Sequence, residues 1–258
     1  MYDYYLGGSH NYAADREAAD QVMAAIPNVR EIARANRAFL HNAVGYLVDA
    51  GVRQFLDVGS GIPTVGNVHE IAQAKAPDAR VVYVDVDPVA VAHSVHILRD
   101  NDAATAIRAD LRYPDAILND TGLQTTLDLT RPVALILASV LQFVTDAEAY
   151  PAVRALAGTL APGSHLVISH VAAEGIAPDQ SVAVAEIYRR STVTTSTLRD
   201  RPRILEFFHG YDLVAPGLVW VSQWCPGTAL PAGEHPEGIA IVAGVATKAH
   251  PTPDPPEV

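Results

Sequence analysis

The stretch Phe55-Leu56-Asp57-Val58-Gly59-Ser60-Gly61-Ile62-Pro63-Thr64 is an apolar run that breaks into a Gly-x-Gly turn. Such a run reads as a buried strand, and the two glycines let backbone approach a ligand closely because neither carries a Cβ. A second run, Val82-Tyr83-Val84-Asp85-Val86-Asp87-Pro88, sets a carboxylate at the tip of the neighbouring strand. There it can accept both hydrogen bonds of a ribose diol. Asp87 followed by Pro88 makes a helix start, so Asp87 has a capping role and Asp85 is left for the ribose. The two segments together predict a nucleoside-binding crevice.

The turn also discriminates among nucleoside ligands. A dinucleotide fingerprint carries a third glycine at its sixth position, where Thr64 stands here after Pro63. No Gly-Lys-Ser/Thr follows, as a phosphate-cradling loop requires. The pattern therefore argues against NAD, FAD and nucleoside triphosphates.

Outward from the turn, short runs rich in Val, Ile and Leu at 53–58, 80–86, 104–109, 133–139 and 164–171 alternate with helical patterns at 66–76, 88–100 and 146–160. This alternation predicts a parallel sheet covered on both faces. A helical stretch is expected over 178–209, then two long strands, 216–224 and 238–247, paired as an antiparallel hairpin across a Pro/Gly-rich loop. Two helices at 15–26 and 29–50 precede the sheet. The expected organisation is an N-terminal helical extension or lid over 1–50, a cofactor-binding domain over 51–248, and a disordered proline-rich tail over 249–258.

Composition narrows the function. The 258 residues hold 18 Lys and Arg against 29 Asp and Glu, a net charge of −11. Such a charge repels phosphate backbones and anionic membrane surfaces, so neither nucleic acid nor membrane is an expected partner. Cys225 is the single cysteine, which rules out an internal disulfide and fits a reducing compartment. With no long uncharged apolar run and no basic leader, a cytoplasmic protein is expected. His69, His93 and His96 lack supporting ligand spacing, so no metal is expected.

The first twelve residues contain four of the ten tyrosines around Gly7-Gly8. Tyr offers a stacking face and a hydroxyl, and a glycine pair permits a tight bend. Two readings stay open: a lid that covers a planar ligand, and an aromatic plug that packs the first helix on the sheet.

Several motifs in combination carry a resemblance: Tyr2-Asp3-Tyr4-Tyr5-Leu6-Gly7-Gly8 with Asn11 and Ala14-Asp15-Arg16, Ala35-Asn36-Arg37-Ala38-Phe39-Leu40, the Asp57 turn, Asn67-Val68-His69-Glu70, Asp85-x-Asp87-Pro88, Ala109-Asp110-Leu111-Arg112, Phe207-Phe208-x-Gly210 and Pro216-Gly217-Leu218-Val219. Over residues 2 to about 248 the chain resembles a bacterial S-adenosyl methyltransferase family, once a domain of unknown function, within the class I S-adenosylmethionine (SAM) methyltransferases. The resemblance implies an α/β, Rossmann-like fold: a seven-stranded, mostly parallel sheet of order 3-2-1-4-5-7-6, strand 7 antiparallel, with helices on both faces. It implies SAM as cofactor, S-adenosylhomocysteine as product, and methyl transfer as the activity. Two positions depart from the family pattern: Gln142 stands where a His is common, and Ser9-His10 where a basic residue is common.

The expected cofactor contacts are Asp57, Gly59, Ser60, Gly61, Asp85, Val86, Asp110 with Leu111 at the adenine, Ser139, Val140, and Arg37 at the methionine carboxylate. For the acceptor, Tyr5, Tyr12, Gln142 and His170 are candidates. His170, Tyr5 and His10 are the candidates for a general base. Arg189, Arg190, Arg199, Arg201 and Arg203 read most simply as surface charge. A small-molecule acceptor is expected, and the reading leaves room for a homodimer. The alternatives are a SAM-binding enzyme that does not methylate, catalysing cyclisation or decarboxylation, and a SAM sensor without turnover.

Overall fold

The computed structural model describes residues 1–9, 11–62, 66–191, 196–225 and 236–249. The chain opens with helices α1 (Tyr2–Tyr5), α2 (Ala13–Ala25) and α3 (Val29–Asp49). Alternation then runs through β1 (Gln54–Val58), α4 (Val68–Lys75), β2 (Arg80–Asp85), α5 (Pro88–Ile97), β3 (Ala104–Arg108), α6 (Pro114–Leu118), α7 (Thr121–Thr126), β4 (Ala134–Ala138), α8 (Asp146–Thr159) and β5 (His165–Val171). The remaining elements are α9 (Pro178–Ser191), α10 (Arg201–Leu205), β6 (Tyr211–Leu213), β7 (Val219–Trp220) and β8 (Ile241–Lys248).

The strands order as β3-β2-β1-β4-β5-β8-β6, with β7 paired to β8 off this path. The first five are parallel, and β8 runs antiparallel to β5 and β6. Setting the two-residue β7 aside, this is the expected 3-2-1-4-5-7-6 order. The expected long strand at 216–224 is not formed. Gly217 turns left-handed at φ +90, β7 pairs only through Val219 and Trp220, and Val221–Gln223 closes into a 3-10 turn. Nor is 178–209 one helix: α9 ends at Ser191, and α10 starts afresh where Asp200 caps Arg203 N. The Pro/Gly-rich loop at 226–235 and the tail beyond 249 lie outside the described residues.

Two cores flank the sheet, as period-2 alternation requires. Phe55, Val81, Tyr83, Ala134, Ile136 and Val167 pack on the α3 and α4 side. Leu56, Val58, Val82, Val84, Leu135, Leu137, Leu166 and Ile168 pack on the α8 side. Asp57, two residues after Phe55, therefore faces α3. That helix buries Ile32, Ala33, Asn36, Phe39, Leu40, Ala43, Val44, Leu47 and Val48, a continuous stripe at helical spacing. Only residues 50–53 join α3 to the start of β1, so α3 runs antiparallel to the strand. Its early turns consequently lie over the carboxyl ends of the strands.

After β5 the chain leaves the sheet at Ala172 and returns at Arg199, where the two form a parallel bridge and Ala173 N donates to Arg199 O at 2.9 Å. Within this excursion α9 packs on α2. Val184 and Ile187 join Tyr5, Ala19, Val22 and Ala33 in a satellite core.

Candidate functional site

Strand order reverses between β1 and β4, and ligands of open α/β sheets bind at the carboxyl ends beside such a reversal. The turn after β1 occupies that place. Gly59 stands at φ +76 and Gly61 at φ +63. The Val84 carbonyl accepts from Gly59 N at 2.8 Å and Ser60 N at 3.2 Å. A Cβ on Gly59 would come within 2.2 Å of Val140 Cγ2, so the loop after β4 rests directly on the turn after β1.

Asp85 ends β2. Its Oδ2 accepts from Gly61 N at 2.7 Å and its Oδ1 from Asp87 N at 2.9 Å. Burial pushes this carboxyl above its ordinary range while the amides pull it back. Two bonds leave further lone pairs on the oxygens for hydroxyl donors. Val86 beside it is 55% exposed, an apolar surface at the strand tip.

Asp57 is buried, and burial pushes its carboxyl up to about 7, with the Arg37 charge pulling it down and the Asp85 charge pushing it further up. Among the described residues no group donates a hydrogen bond to it. The Arg37 guanidinium lies over the Tyr2 ring, 5.8 Å from its centre, and its buried Nε has no partner. Asn36 Nδ2 donates to the Tyr2 hydroxyl at 3.1 Å, and its buried Oδ1 is unpartnered.

Across the crevice, Ser139 adopts φ +53, a left-handed conformation that costs a residue with a Cβ about 1–3 kcal/mol. Ser139 N donates to Ser169 O at 3.0 Å, and Gln142 Nε2 donates to Ser139 O at 2.8 Å. Gln142 O accepts from Thr197 N at 2.7 Å. The Gln142 Oε1 atom is buried and has no donor among the described residues.

His170 does not line this crevice. Its Nδ1 lies 2.7 Å from Val171 O and so carries the proton; its Nε2 accepts from Arg199 Nη1 at 2.8 Å. The ring is fully buried, and burial first, with the Arg199 charge adding to it, pushes the imidazole down to about 4. The expected acceptor contact and general base at His170 is thus a neutral core residue. Arg199, expected at the surface, is also fully buried. Besides His170, it donates to Asp146 Oδ1, Leu141 O and Val144 O, each at 2.8 Å. Arg203, half-exposed, pairs with the other oxygen of Asp146.

The other expected site residues are placed as follows. Tyr5 is 3% exposed and packs into the satellite core. The Asp110 carboxylate accepts from Arg112 Nε at 3.0 Å and Nη2 at 2.6 Å, which holds its pKa low. Leu111 is buried in the core, while Tyr12 is exposed at the start of α2. His10, Pro63 and Thr64 lie outside the described residues. Sequence reasoning did not single out Asn36, although it interrupts the apolar stripe of α3, and it put Arg199 at the surface, although its side-chain hydrogen-bond partners lie 29 or more residues away in sequence. Among the described residues no group of three or more His, Cys, Asp or Glu side chains could hold a metal ion. No helix among them is long and apolar enough to cross a membrane.

A family model described as S-adenosyl methyltransferase matches residues 1–249. The chain belongs to the S-adenosyl methyltransferase family. As a member it is a SAM-dependent methyltransferase. A DUF574 family protein from Streptomyces avermitilis is 42% identical, covers 96% of this chain and 95% of its own, and superposes with a TM-score of 0.88. A Thermobifida fusca protein described as a methyltransferase is 37% identical, with 96% and 93% coverage and a TM-score of 0.89. An O-methyltransferase family protein from Burkholderia thailandensis shares the fold at 15% identity, with 86% and 60% coverage and a TM-score of 0.54. No curated protein matches the chain.

The chemistry of the crevice suits the cofactor of this S-adenosyl methyltransferase. SAM has a ribose diol, to which Asp85 presents spare lone pairs, and no phosphate, which the turn is not built to cradle. It also has an ammonium, a complement to the buried Asp57 carboxyl, which lacks donors among the described residues.

Proposed function

We propose that this methyltransferase acts on a small-molecule acceptor held between the loop after β4 and the segment 196–200. The net charge of −11 carries this reading, because an acidic protein repels the phosphate backbone of nucleic acid at long range. The S-adenosyl group supplies an electrophilic methyl on a sulfonium. In this reading the chain's own residues position it. Gly59, Ser60 and Gly61 offer a backbone floor without side-chain obstruction, Asp85 takes the ribose hydroxyls, and Val86 flanks the adenine. Arg37 and Asp57 lie at the amino-acid end, and Ser139 and Val140 at the sulfonium.

Gln142 orients the acceptor. It carries no ionisable group, and His170 is held neutral behind Arg199, so neither takes a proton from the acceptor. The rate gain then rests on alignment and water exclusion, and the acceptor atom is one already nucleophilic near neutral pH. Incubating the protein with SAM and an extract of its source cells tests the reading. A metabolite that gains one methylene supports it. Labelling confined to nucleic acid or protein would replace it.

A further inference from the structure

Asn36 occupies a position that the packing of α3 reserves for an apolar side chain. Ile32, Phe39, Leu40, Ala43 and Val44 on either side all enter the core against the sheet face that also carries Asp57. The amide is 4% exposed, spends Nδ2 on the Tyr2 hydroxyl, and among the described residues leaves Oδ1 without a donor. A buried acceptor left unmade destabilises a fold, and native interiors rarely keep one without a further use.

The neighbours are left incomplete in a matching way. Arg37, next in sequence, has a buried Nε without an acceptor, and its charge acts on Tyr2, Asp57 and Tyr83. Asp57 has no donor. The cluster therefore holds unspent acceptors on Asn36 and Asp57 and an unspent donor on Arg37. A group that supplies N–H donors and carboxylate acceptors from one carbon satisfies all three: an α-amino-acid zwitterion. Tyr2 ties this cluster to the opening segment, through its hydroxyl to Asn36 and to Ala33 O at 3.1 Å, and through its ring under Arg37.

We infer that Asn36, with Arg37 and Asp57, forms the subsite that reads the amino-acid end of the cofactor, Asn36 Oδ1 accepting from its ammonium, with Tyr2 holding the amide in place. The inference rests on the proposed placement of the cofactor in the crevice, with the ribose at Asp85.

Binding measured by calorimetry tests it, with S-adenosylhomocysteine and with 5′-methylthioadenosine, which keeps the adenine and ribose and lacks the amino acid. Asn36→Leu fits the apolar stripe and removes the unpartnered acceptor, so it is expected to fold with an unchanged or raised melting temperature. It should weaken S-adenosylhomocysteine binding about tenfold or more and leave methylthioadenosine within twofold of wild type. Asn36→Ser, smaller and polar, serves as the second variant should leucine not fold, with the same selective loss expected. Equal binding of S-adenosylhomocysteine by wild type and variant overturns the inference, and so does an equal loss of both ligands. Asp85→Asn separates that failure from a failure of the underlying placement: it should weaken both ligands, and no effect on either moves the ribose, and the subsite with it, elsewhere.

Discussion

The guanidinium of Arg199 meets Nε2 of His170 at 2.8 Å, and both side chains are sealed from solvent. A cation facing an imidazole is tolerable only while the ring is neutral. Asp146, two backbone carbonyls and the rings of Tyr150 and Phe207 complete the surroundings of Arg199. The pair joins the end of β5 and the loop after β4 to the segment that follows α9.

Removing one side of that arrangement should be costly. Arg199→Met leaves the Asp146 carboxylate short of a partner and two carbonyls unsatisfied, so a loss of about 3–5 kcal/mol is expected. Urea unfolding monitored by circular dichroism measures it. A loss below about 1 kcal/mol would mean that the network adds little to stability.

The same pair sets a pH dependence. The His170 pKa is about 4 folded against 6.5 for the free side chain, so its contribution is complete above pH 6.5 and is lost as pH falls toward 4. The full difference is about 3 kcal/mol. His170→Gln, which keeps a neutral acceptor, should flatten stability between pH 6.5 and 4 relative to wild type. Parallel curves for the two proteins would place the acid sensitivity elsewhere.

Asp57 has the opposite sign. Its folded pKa is raised from 3.8 to about 7, so below about pH 7 the carboxyl holds a proton in the folded protein and its contribution to stability falls as pH rises from about 4 to 7. An ammonium beside it favours the charged form. S-adenosylhomocysteine binding should therefore release a proton near pH 7 and strengthen from pH 6 to 8. Calorimetry in two buffers of different ionisation enthalpy reports the release. Asp57→Asn should abolish it; identical heats with wild type would remove Asp57 from the ammonium site.

Gly59 and Val140 are coupled by contact. Gly59→Ala adds a left-handed strain of about 1–3 kcal/mol and a collision with Val140, whose Cγ2 and Cβ would stand at 2.2 and 2.6 Å. Val140→Gly removes the collision and leaves the strain. The double variant should be more stable than the sum of the single effects predicts, with a coupling of about 1 kcal/mol or more. Simple additivity in thermal unfolding would show that the two loops move apart independently.

Deleting residues 2–12 distinguishes plug from lid. Tyr5 is buried among Ala19, Val22 and Ala33, and Tyr2 bonds to Ala33 and Asn36, so the melting temperature should fall together with S-adenosylhomocysteine affinity. An unchanged melting temperature with weakened binding would favour a lid.

The parallel sheet was legible because each strand of its first half is a short apolar run bounded by a turn signal, and the glycine turn marked one end of the crevice. The region 211–224 was not legible. Its apolar residues are shared among a three-residue strand, a two-residue strand and a 3-10 turn, none long enough to impose a period. His170 could have been read correctly: counting by two from Leu166 and Ile168 puts it on the same covered face. Arg199 could not, since burial of a guanidinium depends on partners that only the fold assembles.

The bridge between Ala172 and Arg199 makes the intervening stretch a handle with both ends fastened at one point. A graft there changes no spacing in the sheet, so a donor's 173–198 can be exchanged as a cassette, provided residue 199 stays an arginine. Because α9 seats on α2 and shares the satellite core with Tyr5, the cassette has a second half at residues 1–25. Chimaeras that move both halves together should inherit the donor's acceptor preference, and those that move one should misfold around Tyr5.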